Sequence, residues 1–109
     1  MKTPARQAQP GPALDEAVAR VMGSRHLEYS QNWEAVGAVI DSLPDGHNFA
    51  LQKWMDCESE PPVFGWSADM WAGVNVGWVT AEAETAQIAI CRVFLLANGV
   101  EEVEDASRS

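Results

Sequence analysis

With 109 residues the chain has room for one domain and one modest core. Apolar residues make up 47% of it, which argues against disorder, and five tryptophans supply unusually large burial for so short a chain. Seven basic residues against 16 acidic give a formal charge of −9, which repels long nucleic acids and anionic membrane surfaces.

Residues 1–12 hold Pro4, Pro10, Gly11 and Pro12 among small polar residues, the composition of a flexible N-terminal arm. The absence of an apolar stretch at its start predicts a cytoplasmic protein. A first helix is expected over Ala13–Met22. Leu14, Val18, Val21 and Met22 form one apolar stripe, and Gly23 is placed to end it. A second helix is expected over Gln31–Leu43, with Ser30 as N-cap and Trp33, Val36, Gly37, Ile40 and Leu43 on its buried face. Pro44-Asp45-Gly46 then forms a stop.

The period next changes from 3.6 to 2. Over His47–Asp56, Phe49, Leu51 and Met55 share one face while Ala50, Gln52 and Trp54 share the other. The loop of residues 58–62 holds two consecutive prolines, and alternation resumes over Val63–Ala72. Gly73 marks a turn or bulge before a third strand over Val74–Thr80. Three antiparallel strands in a meander are the simplest reading.

The last helix, Thr85–Asn98, carries the strongest signal. Only Thr85, Gln87, Arg92 and Asn98 are polar, and Asn98-Gly99 supplies its stop. A helix apolar nearly all round must be buried on more than one side, either by other elements of the domain or by a second subunit. Its longest apolar run, Val93–Ala97, is far too short to span a bilayer. Glu101, Glu102, Glu104 and Asp105 mark residues 101–109 as a solvated acidic tail, leaving residues 13–100 as the domain. The expected class is α+β, a helix-sheet-helix layered sandwich of three helices and a small antiparallel sheet in the order α-α-β-β-β-α. Cys57 and Cys91 allow at most one disulfide, and reduced thiols are expected.

Three stretches carry a resemblance to a known family. They are Leu14-Asp-Glu-Ala-Val-Ala-Arg-Val-Met-Gly23, Tyr29-Ser30 leading into Trp33 and Val36, and Glu84-Thr-Ala-Gln-Ile-Ala-Ile-Cys-Arg92. Together they resemble the phage ABA sandwich domain family, which pairs a Val-Met-Gly helix end with a later Thr-Ala-x-x-Ala-Ile-Cys helix. The resemblance covers most of residues 14–100. It implies a phage or prophage protein acting in a bacterial host, with a sheet between helical layers. It implies no activity and no catalytic residue. The Trp-rich strands and the Ala81-Glu82-Ala83 segment before Thr85 depart from the family pattern.

For catalysis near neutral pH the available bases are His26 and His47, and neither stands at a recognisable spacing from a nucleophile or carboxylate. An enzyme would need a carboxylate site among Asp56, Asp69 and Glu82. Asp56, Cys57, Glu58 and Glu60 cluster without any regular metal-ligand spacing, and Gly65, Gly73 and Gly77 match no phosphate loop. No cofactor or metal is therefore expected. The tryptophans remain. Trp54 and Trp71 fall on the sheet face opposite Phe49 and Phe64, where they either pack or form a stacking platform for a flat ligand. Lys53, Arg20, Arg25 and Arg92 are the cations available to neutralise a phosphate on it. Two functions follow. One is a non-enzymatic phage accessory protein that sequesters a small ligand, such as a nucleotide signal of host defence. The other is a self-assembling interaction module, a homo-oligomer through the last helix and the spare tryptophans.

Overall fold

The computed structural model describes residues 2–23, 27–43 and 48–104. Its elements run β1 (Lys2–Pro4), a single 3-10 turn (Ala5–Gln7), α1 (Pro12–Met22), α2 (Trp33–Asp41), β2 (Phe49–Asp56), β3 (Val63–Trp71), β4 (Trp78–Ala83), α3 (Ala86–Ala97) and β5 (Glu102–Glu104). The class is α+β, and its main elements follow the expected order of two helices, three antiparallel strands and a last helix.

Helix α3 is the middle layer. The sheet β2-β3-β4 packs on one side of it and α1 and α2 on the other. Ala86, Ile88, Ala89, Ile90, Cys91, Val93, Phe94 and Leu95 are all buried, and each large aliphatic side chain among them contributes about 1.5–3 kcal/mol by leaving water. The all-round apolar helix is therefore satisfied within one chain, which removes it as a reason for self-association. Its ends are set as the residues dictate. The Thr85 hydroxyl accepts the Ile88 N–H at 3.3 Å. At the other end Val100 N–H bonds to the Leu95 carbonyl and Gly99 N–H to the Leu96 carbonyl, a Schellman stop that needs the positive φ of Gly99.

Helix α1 keeps the expected stripe, with Leu14 and Val18 fully buried and Gly23 in the left-handed region. Helix α2 differs. Its N-cap is Asn32, whose side chain accepts from Glu34 and Ala35, not Ser30. Ser30 is instead buried beside α1: its N–H donates to Asp15 Oδ1 at 2.7 Å and its hydroxyl accepts from Gly11 N–H at 3.1 Å. Starting two residues later, α2 buries Ala35, Val36 and Val39, and Trp33 stands half exposed at its first turn.

The strands β2 and β3 follow the expected alternation. Phe49 pairs with Met70, Leu51 with Ala68, Lys53 with Trp66 and Trp54 with Gly65. Ala68, Met70 and Ala81 are the buried centre of the face that meets α3. The third strand begins later than expected. Gly73 and Gly77 both have positive φ and bound a turn in which Gly77 N–H donates to the Gly73 carbonyl. Val74 and Val76 consequently lie on this turn, exposed, and β4 starts at Trp78.

Of the stretches expected as a flexible arm (residues 1–12) and an acidic tail (101–109), the described residues near each end, 2–8 and 101–104, are paired or packed, while residues 1 and 105–109 lie outside the described residues. Lys2–Pro4 pairs antiparallel with Glu102–Glu104, Ala5 N–H donates to the Glu101 carbonyl at 2.8 Å, and Ala5, Ala8 and Val103 are buried. Pairing gives these short segments the backbone partners that their polar composition alone does not announce. The Pro44-Asp45-Gly46 stop, His26, His47 and Arg25 lie outside the described residues. Among the described residues no helix is long and apolar enough to cross a membrane.

Candidate functional site

Trp54 and Trp71 share the outer face of the sheet, but they do not form one platform. Trp54 is paired with Gly65, and Trp71 lies six residues further along β3, about 20 Å away at ~3.4 Å per residue. Each lines its own pocket. Trp71 packs edge-on against Trp78, with ring centroids 5.7 Å apart, and borders a cleft of about 340 Å³ with Met22, Leu43, Met70, Phe94 and Asn98.

Trp54 lines the larger pocket, about 420 Å³, where β4 runs into α3. Gly65 leaves room for the indole to lie across β3, since a Cβ there would overlap the ring. The pocket wall continues through Arg6, Gln9, Phe64, Glu82, Glu84, Ile88 and Arg92. The indole Nε1–H of Trp54 is buried and meets no hydrogen-bond partner among the described residues. An unsatisfied buried donor costs about 1–3 kcal/mol.

Both arginines are held by main-chain carbonyls. Arg92 donates from Nε and Nη2 to the Ala8 carbonyl, at 2.9 and 2.7 Å, and from Nη1 to the Glu82 carbonyl at 2.7 Å. Arg6 donates to the Thr80 carbonyl. Thr80 and Glu82 are the positions of β4 that face away from β3, so the two guanidiniums cap the free edge of that strand. Neither forms a carboxylate salt bridge among the described residues. Burial pulls the Arg92 pKa down and nearby Glu84 pushes it back up, and a guanidinium stays charged at neutral pH through such shifts. Each arginine keeps N–H groups beyond those it spends on the backbone.

Of the other expected site residues, Lys53 is on the inner face, its ammonium 5.7 Å from the ring centroids of both Phe64 and Trp66. Arg20 pairs with Glu16 on the surface of α1, far in sequence from any strand. The structure thus brings Trp54 and Arg92 together and adds Arg6, Gln9 and Phe64, which sequence reasoning passed over. Arg6 lay in a presumed arm and gave no signal. The three carboxylates considered for catalysis are separated or engaged. Asp69 accepts the Thr80 hydroxyl at 2.6 Å, Asp56 caps the following turn through Glu58 N–H and Ser59, and Glu82 sits in the pocket wall. Both cysteines are free, Cys57 exposed and Cys91 buried.

No family model matches the chain, and no curated protein matches it. Among solved structures, the fold is similar to that of a phage protein from Bacillus cereus ATCC 14579, with a TM-score of 0.60 and 21% sequence identity over 87% of this chain and 94% of that one. At that identity the likeness establishes a shared fold.

Proposed function

We propose that the chain is a non-enzymatic phage or prophage accessory protein, of the ABA sandwich kind, that binds and sequesters a small ligand in the Trp54 pocket. The observation that carries this reading is the meeting, among the described residues, of a flat indole whose N–H has no partner with two guanidiniums that form no carboxylate salt bridge. That set suits a flat ring bearing an acceptor and an anionic group, the chemistry of a nucleotide signal of host defence. Glu82 and Glu84 in the same wall favour a ligand with one or two anionic groups over a polyphosphate. The likeness to a phage protein and the cytoplasmic, cofactor-free reading of the sequence agree with this role.

Calorimetry and thermal shift against a panel of cyclic and adenine nucleotides test it. Binding that is lost in Trp54→Ala supports the reading. No heat and no shift across the panel ends it.

A further inference from the structure

The cleft bordered by Trp71 differs in chemistry from the Trp54 pocket. It opens where three helices end: Met22 is the last residue of α1, Ser42 the C-cap of α2, and Asn98 the C-cap of α3. The C-terminal end of a helix carries about half a negative charge, felt within its last turn. Lys, Arg or His in that turn ordinarily complements it. The last turns of α2 and α3 hold no basic residue, and Arg20, in the last turn of α1, is paired with Glu16. Among the described residues no charged side chain lines the cleft, so the three ends meet there without a cation.

Apart from Ser42 and Asn98, the described wall is apolar, and it holds the rings of Trp71 and Phe94 and the thioethers of Met22 and Met70. An aromatic ring attracts a cation to its face. Ser42 and Asn98 are exposed at the cleft. The Ser42 hydroxyl donates to the Val39 carbonyl at 2.6 Å, and Asn98 Nδ2 donates to the Phe94 carbonyl at 2.8 Å. Each side chain thus spends a donor on its own helix. Ser42 Oγ and Asn98 Oδ1 remain as acceptors, and among the described residues no group donates to them.

We infer that this cleft is a second ligand site, and that its ligand is a small organic amine, bound as the ammonium of an apolar body. The body fills a cleft of about 340 Å³, within the range of small-molecule sites. The ammonium brings donors to the two oxygens and positive charge to the three helix ends and the aromatic wall. A neutral molecule of the same shape forgoes that charge, and an anion is repelled by it. The formal charge of −9 also draws cations to the chain as a whole. This site is independent of the Trp54 pocket, where two guanidiniums favour an anionic group.

Phenethylamine is the probe, with phenethyl alcohol and phenylacetate as its neutral and anionic companions. Titration of the full chain, followed by NMR at the Trp71 indole and the Asn98 side-chain amide, locates and measures binding. The amine is expected to shift both signals and to bind about tenfold tighter than the alcohol, with phenylacetate weaker still. Comparing the three probes on the native chain does not depend on any variant folding. A folded Asn98→Asp sets a charge beside the ammonium, and it is expected to tighten the amine about threefold while leaving the alcohol unchanged. Equal affinity for amine and alcohol, shifts centred on Trp54, no shift at Trp71 in millimolar amine, or a folded Asn98→Asp that binds the amine no better overturns the proposal.

Discussion

Gly65 lies beneath the indole of Trp54, so closely that a Cβ built on it would stand 2.6 Å from Cε2 of the ring. Gly65→Ala must therefore push the largest side chain of the pocket off its seat. A destabilisation of about 1–3 kcal/mol is expected, the usual cost of overpacking. Urea unfolding measures it, and tryptophan emission reports the displaced ring. Unchanged stability together with unchanged emission would show that the indole does not lie across β3.

Arg92 is the tie between the N-terminal segment and β4, joining the carbonyls of Ala8 and Glu82. Lysine carries the charge without the fork, so Arg92→Lys cannot hold two carbonyls that face it from different elements. A loss of about 1.5–3 kcal/mol is expected, the range for hydrogen bonds to a charged group. Limited proteolysis should then cut between Ala5 and Pro12 at a concentration that spares the native chain. Equal resistance in the two proteins would contradict this role.

Burial, and secondarily the nearby Asp15 carboxylate, pushes the Cys91 thiol far above its ordinary range. The folded chain thus holds this proton to a higher pH than the unfolded chain does. Its contribution is full below the unfolded thiol's pKa, near ~8.5, and is lost as pH rises toward the raised folded value. Between pH 8.5 and 10 the stability difference between the native chain and Cys91→Ala should shrink by up to about 1.4 kcal/mol per pH unit. Parallel pH profiles for the two proteins would argue against a buried thiol. A thiol reagent should meanwhile titrate Cys57 alone in the folded state.

The helices and the main sheet were legible because their signals are local and periodic. Leu14 and Val18 repeat at helical spacing, Phe49 and Leu51 alternate, and Thr85 and Gly99 carry side chains, or the lack of one, that only helix ends require. The N-cap of α2 was misplaced because Ser30 and Asn32 have the same local chemistry. What separates them is Asp15, fifteen residues away, which claims the Ser30 N–H. Strands β1 and β5 are three residues each, too short for any period to register, and Pro4 argued against pairing. The candidate site was legible only in part. Period two places Trp54 and Trp71 on one face, but the register that sets one over Gly65 and the other beside Trp78 is a property of paired strands. Arg92 reads in sequence as a lone cation on an apolar helix, since its carbonyl partner at Ala8 is 84 positions away.

The pairing of β1 with β5 also bears on how the chain is made. Lys2–Pro4 leave the ribosome about a hundred residues before their partners at Glu102–Glu104. Until α3 and then β5 have been made, Ala5 and Ala8 lack the surfaces that bury them. A segment made early is therefore late to find its place. The small sheet closes only once the chain through Glu104 is clear of the exit tunnel, and long-range closure of this kind is slow. The guard on the β4 edge is late as well, because Arg6 must wait for the Thr80 carbonyl and the Ala8 carbonyl must wait for Arg92.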